Sequence, residues 1–135
     1  MAISRQPDAI VPRDQHLPQQ VPIDAYGGEA GFRFAEMAHP GSILALPSGI
    51  HGWPVKGVAE IDAAALAAVF DQAADLDVVV IGTGRDIAFF PAALRAELRA
   101  LGPGVEVMAT VPAIRTYNIL LAEGRRVAAA LVALD

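Results

Sequence analysis

Two kinds of hydrophobic pattern divide the chain. Between Val21 and Val55, short apolar stretches alternate with Gly and Pro. Ile23 to Tyr26 predicts a first strand before a turn at Gly27-Gly28, and Phe32 and Phe34 flank Arg33 at the period of two that puts both rings on one face. Ser42 to Leu46 predicts a compact strand between Pro40-Gly41 and Pro47-Ser48-Gly49. Gly49 to Val55, which carries the only Trp, reads as irregular. A hairpin-rich opening sheet is the expected product.

From Asp62 onward the spacing changes. Asp62 is placed to cap a helix over residues 63–74, with Leu66, Val69 and Phe70 on one face. Asp77 to Ile81 holds three valines and an isoleucine in succession, which suits a strand covered on both faces. Pro91 is placed to open a second helix reaching Leu101, with Leu94, Leu98 and Leu101 as its buried stripe and Gly102-Pro103-Gly104 as its stop. Val105 to Met108 predicts a strand, and Pro112 to Glu123 a third helix ended by a left-handed Gly124. The run Val127 to Leu134 suits helix or strand by propensity, and its position after a glycine stop favours a central strand. The second half therefore reads β-α-β-α-β, the order of an open α/β sheet.

Residues 1–20 fit neither pattern. Pro7, Pro12 and Pro18 interrupt them and no polar period repeats, so a flexible Pro-rich tail is expected, with a single domain over residues 21–135. The other arrangement is an arm docked through Ile10, Val11 and Leu17.

Composition narrows the function classes. With 135 residues, 54% of them hydrophobic and 19% charged, the chain has the material for one cored domain. A formal charge of -5 argues against a general electrostatic clamp on nucleic acid. The absence of cysteine excludes disulfides, thiolate nucleophiles and thiolate metal sites. The three histidines, at 16, 39 and 51, show no metal-ligand spacing, so no metal is expected. Residues 1–20 lack the apolar core of a secretory signal, and no run reaches the ~20 apolar residues that cross a bilayer. The expected address is cytoplasmic.

The sharpest local feature is Val78 to Gly84, a buried strand running into Gly-Thr-Gly. Exposed amides in such a loop can hold an anion. The dinucleotide fingerprint is incomplete, because Ile87 stands where a third glycine belongs; a Walker loop is ruled out, because the only lysine is Lys56. No cofactor is expected. The plain alternative is a tight strand-to-helix turn with no ligand.

The second feature is Thr110 to Asn118. Thr110 is placed to cap the third helix, and Arg115 and Asn118 share a helical face. Loops that follow adjacent parallel strands converge on one crevice. Gly82, Thr83, Gly84, Arg85, Thr110, Arg115 and Asn118 are therefore the candidate ligand site, around one anionic group. Each has a structural alternative: an ion-paired or solvated Arg115, an Asn118 that bonds a neighbouring loop, and beside them a Tyr117 that packs with its hydroxyl satisfied. Arg125 and Arg126 complement the helix end and have Glu123 or another carboxylate as partner. No Ser-His-Asp relay or paired carboxylates assemble, and Asp86 alone makes a weak general base, so no catalytic residue is assigned.

The Gly-Thr-Gly loop after Val-Val-Val-Ile, the segment Leu44 to Val55, and Thr110-x-x-Ala113-x-Arg115-Thr116-Tyr117-Asn118-x-Leu120-x-x-Glu123-Gly124-Arg125-Arg126 together resemble the Mth938-like family, over residues 21–134. The resemblance implies an α/β fold of three layers, with a mixed central sheet and an additional β-hairpin layer. It implies no established reaction. The family includes a mitochondrial assembly factor of respiratory complex I, which implies a non-enzymatic interaction or assembly role with protein clients, complex I subunits among them. This chain departs from the mitochondrial form in lacking an Arg-rich amphipathic transit segment, and its Ala- and Arg-rich composition points to a GC-rich bacterial genome. The alternative function is a binder of a small anionic ligand, or a cryptic enzyme, at the crevice above. An interaction factor should expose an apolar patch, around Phe89-Phe90 or Ile50 to Trp53. Monomer and homodimer both remain open.

Overall fold

The computed structural model describes residues 15–27 and 30–134. The chain runs through β1 (Gln15–Leu17), β2 (Ala25–Gly27), β3 (Gly31–Phe34), β4 (Met37–His39), β5 (Ser42–Leu46), β6 (Gly49–Trp53), α1 (Ala67–Gln72), β7 (Val78–Gly82), α2 (Ala92–Ala100), β8 (Gly104–Met108), α3 (Thr110–Ala122) and β9 (Val127–Leu131). Among the described residues the strands form a six-stranded sheet in the order β1-β6-β5-β9-β7-β8 and a three-stranded sheet β2-β3-β4. β7 pairs in parallel with β8 and β9, while β5 is antiparallel to β9 and β6, as is β1 to β6. The large sheet is thus mixed and changes sense at β9.

Alternation in the central strands explains the layers. Val79 and Ile81 of β7, with Leu44 and Leu46 of β5, join Leu66, Val69, Leu94 and Leu98 from the α1 and α2 side. Val78 and Val80, with Ile43 and Ala45, join Phe32, Phe34, Ala113 and Tyr117 from the hairpin sheet and α3. A strand buried on both faces must be apolar at every position, which is why β7 reads as a continuous run. In β9, Ala128 and Ala130 face one layer and Ala129 the other. Short side chains there let both layers approach the sheet closely.

Several expectations change. Gly49 to Trp53 is a strand, not an irregular segment, and pairs on both sides. Its glycines hide the signal, yet Gly49 is required: with φ at 137°, a Cβ there would meet the carbonyl of Leu17 across the β1 pairing. Residues 15–17, inside the stretch expected to be a tail, form the edge strand β1; residues 1–14 lie outside the described residues. The first strand starts at Ala25 rather than Ile23. The first helix is shorter than expected: α1 covers Ala67–Gln72 and a 3-10 turn follows over Ala73–Asp75, although Asp62 does accept the Ala65 amide at 2.8 Å. Leu101 is the C-cap of α2 and is 46% exposed, so it leaves the buried stripe. Gly124 does end α3 in the left-handed region, at φ 78°.

Candidate functional site

The Gly-Thr-Gly loop leaves β7 at the carboxyl end of the parallel strands. Each of its polar groups named below has a protein partner. The Thr83 amide donates to the carbonyl of Met108 at 2.8 Å, and the Gly84 amide donates to Thr110 Oγ1 at 2.9 Å. Thr110 returns its own amide to the Gly84 carbonyl at 2.8 Å and donates its hydroxyl to the Val132 carbonyl at 2.6 Å. The Val132 amide then closes the ring on the Gly82 carbonyl at 2.9 Å. This clasp ties the ends of β7, β8 and β9 together. Gly82 is necessary to it, because a Cβ there would lie 2.9 Å from Thr110 Oγ1 and 3.0 Å from Leu131 Cδ2.

The clasp corrects the expected role of Thr110. Its side chain makes no cap on α3; Ala109 is the N-cap residue, and Thr110 is already helical and fully buried. A buried hydroxyl takes the strongest set of partners within reach, and here these are a loop amide and a strand-end carbonyl.

Arg115 and Asn118 belong elsewhere. They line a groove of about 250 Å³ between α3 and the start of the hairpin layer, with Ile23, Asp24, Tyr26 and Ile114. None of Gly82, Thr83, Gly84, Arg85 or Thr110 lines it. The seven residues expected around one point therefore fall into two groups, because α3 leads Arg115 and Asn118 away from the loop along its axis. Asn118 is spent on structure: Oδ1 accepts the Ile23 amide at 2.9 Å and Nδ2 donates to the Ile23 carbonyl at 2.8 Å. Tyr117 is fully buried and donates its hydroxyl to the Val21 carbonyl at 2.8 Å, and burial pushes that hydroxyl's pKa upward. Together they dock residues 21–23 on α3. Arg115 is exposed on the groove's rim and makes no hydrogen bond or ion pair among the described residues.

Arg125 and Arg126 pair with Asp77 rather than with Glu123. Arg126 Nη2 lies 2.9 Å from Asp77 Oδ1 and Arg125 Nε 3.9 Å from Asp77 Oδ2. The side-chain and backbone bonds from Arg126 hold the Asp77 carboxyl below its ordinary pKa. The pair locks the start of β7 to the turn before β9.

The loop between β7 and α2 presents what spacing alone could not settle. Phe89 is 81% exposed and Ile87 68% exposed, while Phe90 is buried in the α1–α2 layer. Ile50 and Trp53, the other expected patch, are also buried. The loop is braced from within: Thr83 Oγ1 donates to the Asp86 carbonyl at 2.7 Å and accepts the Ala88 amide at 3.1 Å. The two exposed apolar side chains are therefore held on an internally bonded turn.

Sequence reasoning also missed a contact between His16 and His39. Their Nε2 and Nδ1 atoms are 3.0 Å apart, and His16 packs edge-on against Phe34. The two histidines lie 23 positions apart, so no local spacing signals the contact. Among the described residues no three histidine, cysteine or carboxylate side chains gather as a metal site. Nor is any helix there long and apolar enough to cross a membrane.

Comparison with known proteins adds the following. A family model for a protein of unknown function (DUF498/DUF598) matches residues 23–132. An uncharacterized protein of Rhodobacter capsulatus is 41% identical, over 91% of this chain and 93% of that one. The NADH dehydrogenase [ubiquinone] 1 alpha subcomplex assembly factor 3 of Mus musculus is 33% identical over 86% of this chain, which spans 62% of the mouse protein's length. Among solved structures, an outer membrane protein from Bartonella henselae superposes with a TM-score of 0.82 at 42% identity, covering 89% of this chain and all of that one. A Mth938-like domain from Bordetella pertussis superposes with a TM-score of 0.69 at 28% identity, over 99% of this chain and 93% of that one.

Proposed function

We propose that this chain, which belongs to the family of proteins of unknown function DUF498/DUF598, the Mth938-like proteins, is a non-enzymatic interaction factor that contacts its client through Ile87 and Phe89. One observation carries the reading: two large apolar side chains, 68% and 81% exposed, stand on a loop braced by Thr83. Exposing them to water is unfavourable, and burying a whole aromatic side chain returns about 1.5–3 kcal/mol. A braced loop loses little conformational freedom on docking, so most of that gain is available to binding.

An assembly role with respiratory complex I subunits as clients draws its support from the name of the mouse relative, which is longer than this chain and one-third identical to it. The test is crosslinked affinity capture from the native host, membrane fraction included, with Phe89→Ser alongside. Complex I subunits recovered with the native chain and lost with Phe89→Ser support the reading. Equal recovery from both removes the loop from it.

A second reading, capture of a small anion, is favoured by Arg115, which reaches the rim of the α3 groove with no partner among the described residues. Analysis of metabolites retained by the native chain and by Arg115→Ala separates it from the first. An anion kept only by the native chain reverses the order of the two readings.

A further inference from the structure

We propose that the cleft at the carboxyl end of β9 is a binding site for a small carboxylic acid with an apolar body. In open α/β sheets ligands sit beyond the carboxyl ends of the parallel strands. Between β7 and β8 that position is filled by the Thr110 clasp. The end of β9 is open instead, at the place where the sheet changes from parallel to antiparallel pairing. A cleft of about 350 Å³ lies there, walled by Trp53, Pro54, Val55 and Ala133, with Ser42 and Lys56 as its side-chain polar groups. That volume lies at the lower end of the roughly 300–1,000 Å³ of small-molecule pockets, so it suits a small ligand.

The polar groups fix the ligand's chemistry. Lys56 is the chain's only lysine, in a sequence of net charge -5, and its ammonium makes no ion pair or hydrogen bond among the described residues. Glu60 accepts the Lys56 backbone amide through Oε1 at 2.9 Å and makes no ion pair with the ammonium among the described residues. Ser42 is 98% buried (2% exposed), and its Oγ accepts the Ala133 amide at 2.9 Å. Its hydroxyl hydrogen has no acceptor among the described residues. A cation and an unspent hydroxyl donor ask for an acceptor-only, negatively charged group, and a carboxylate is both. The remaining walls are apolar, and among them the Trp53 indole is fixed by its Nε1 donating to the Ala65 carbonyl at 2.8 Å.

The experiment is an NMR titration of the full chain with hexanoate, with hexanol as the neutral probe of the same length, following the Trp53 indole and the amides of Ser42, Lys56 and Ala133. Saturable shifts confined to these groups are expected with hexanoate, and weaker binding with hexanol. Lys56 is exposed, so Lys56→Gln keeps the fold, weakens hexanoate about fivefold and leaves hexanol unchanged, while Lys56→Arg restores binding. Equal affinity for the two probes, or hexanoate binding indifferent to Lys56→Gln, overturns the carboxylate assignment. No saturable shift with either probe overturns the site.

Discussion

Thr110 and Gly84 are bonded to each other twice, amide to carbonyl at 2.8 Å and amide to hydroxyl at 2.9 Å. The pair joins the loop after β7 to the start of α3, and the same hydroxyl reaches on to Val132. A crevice suited by topology to a ligand is here a structural joint. Thr110→Val, nearly isosteric, strands the Gly84 amide and the Val132 carbonyl in a buried site. The expected loss is about 2–4 kcal/mol of stability in urea unfolding. Thr110→Ser, which keeps the hydroxyl, should lose less than half of that.

The β3–β4 turn is strained. Phe34 pairs with Met37, and the two residues between them, Ala35 and Glu36, have φ of 48° and 66°. Positive φ at both positions is the type I′ turn that Asn-Gly fits best. Ala35→Asn with Glu36→Gly should therefore raise stability by about 1 kcal/mol, read as a higher urea midpoint with an unchanged slope.

The His16–His39 contact joins the edge strand β1 to the hairpin layer, and it carries a pH dependence. Burial, and then the charge of His16, lowers the pKa of His39 below 6.5. Phe34 contributes no charge to the pair, and Arg33 lies on the other face of β3. With the folded pKa depressed, the unfolded chain binds the proton more readily, so stability rises with pH in the window below 6.5 and levels off above it. Urea midpoints should fall as the pH drops from 6.5 through the folded pKa of His39. In His39→Phe this part of the slope should disappear.

Arg115 and Asn118 share a helical face and should respond in opposite ways. Arg115→Ala removes no hydrogen bond or ion pair among the described residues and should leave stability within about 0.5 kcal/mol of the native chain. Asn118→Ala leaves both backbone groups of Ile23 without their side-chain partner and should cost about 2–3 kcal/mol. Thermal unfolding of the two variants, side by side, separates a group available to a ligand from one committed to the fold.

What could be read in advance was what local periodicity records. The run through β7, the paired Phe32 and Phe34, the strand Ser42–Leu46 and the Leu94–Leu98 stripe all carry their burial in their own spacing. β6 was hidden, because Gly49 and Gly52 interrupt its apolar pattern and its pairing to β1 lies over thirty positions away in sequence. The candidate site divided for the same reason. The partners of Thr110 lie 26 and 22 positions away, so a capping threonine and a clasping one look alike in sequence. Phe89 and Phe90 are adjacent, and only the path of the braced loop decides that one is exposed and the other buried.

The interaction reading stands or falls on what touches Phe89. The direct measurement replaces Phe89 with the photoreactive p-benzoylphenylalanine in the native host, with the same replacement at the exposed Glu97 of α2 as control. After irradiation, adducts are identified by mass spectrometry. A discrete adduct to a respiratory complex I subunit or assembly intermediate is expected from position 89 and none from position 97. The same adducts from both positions, or none from position 89, would contradict it.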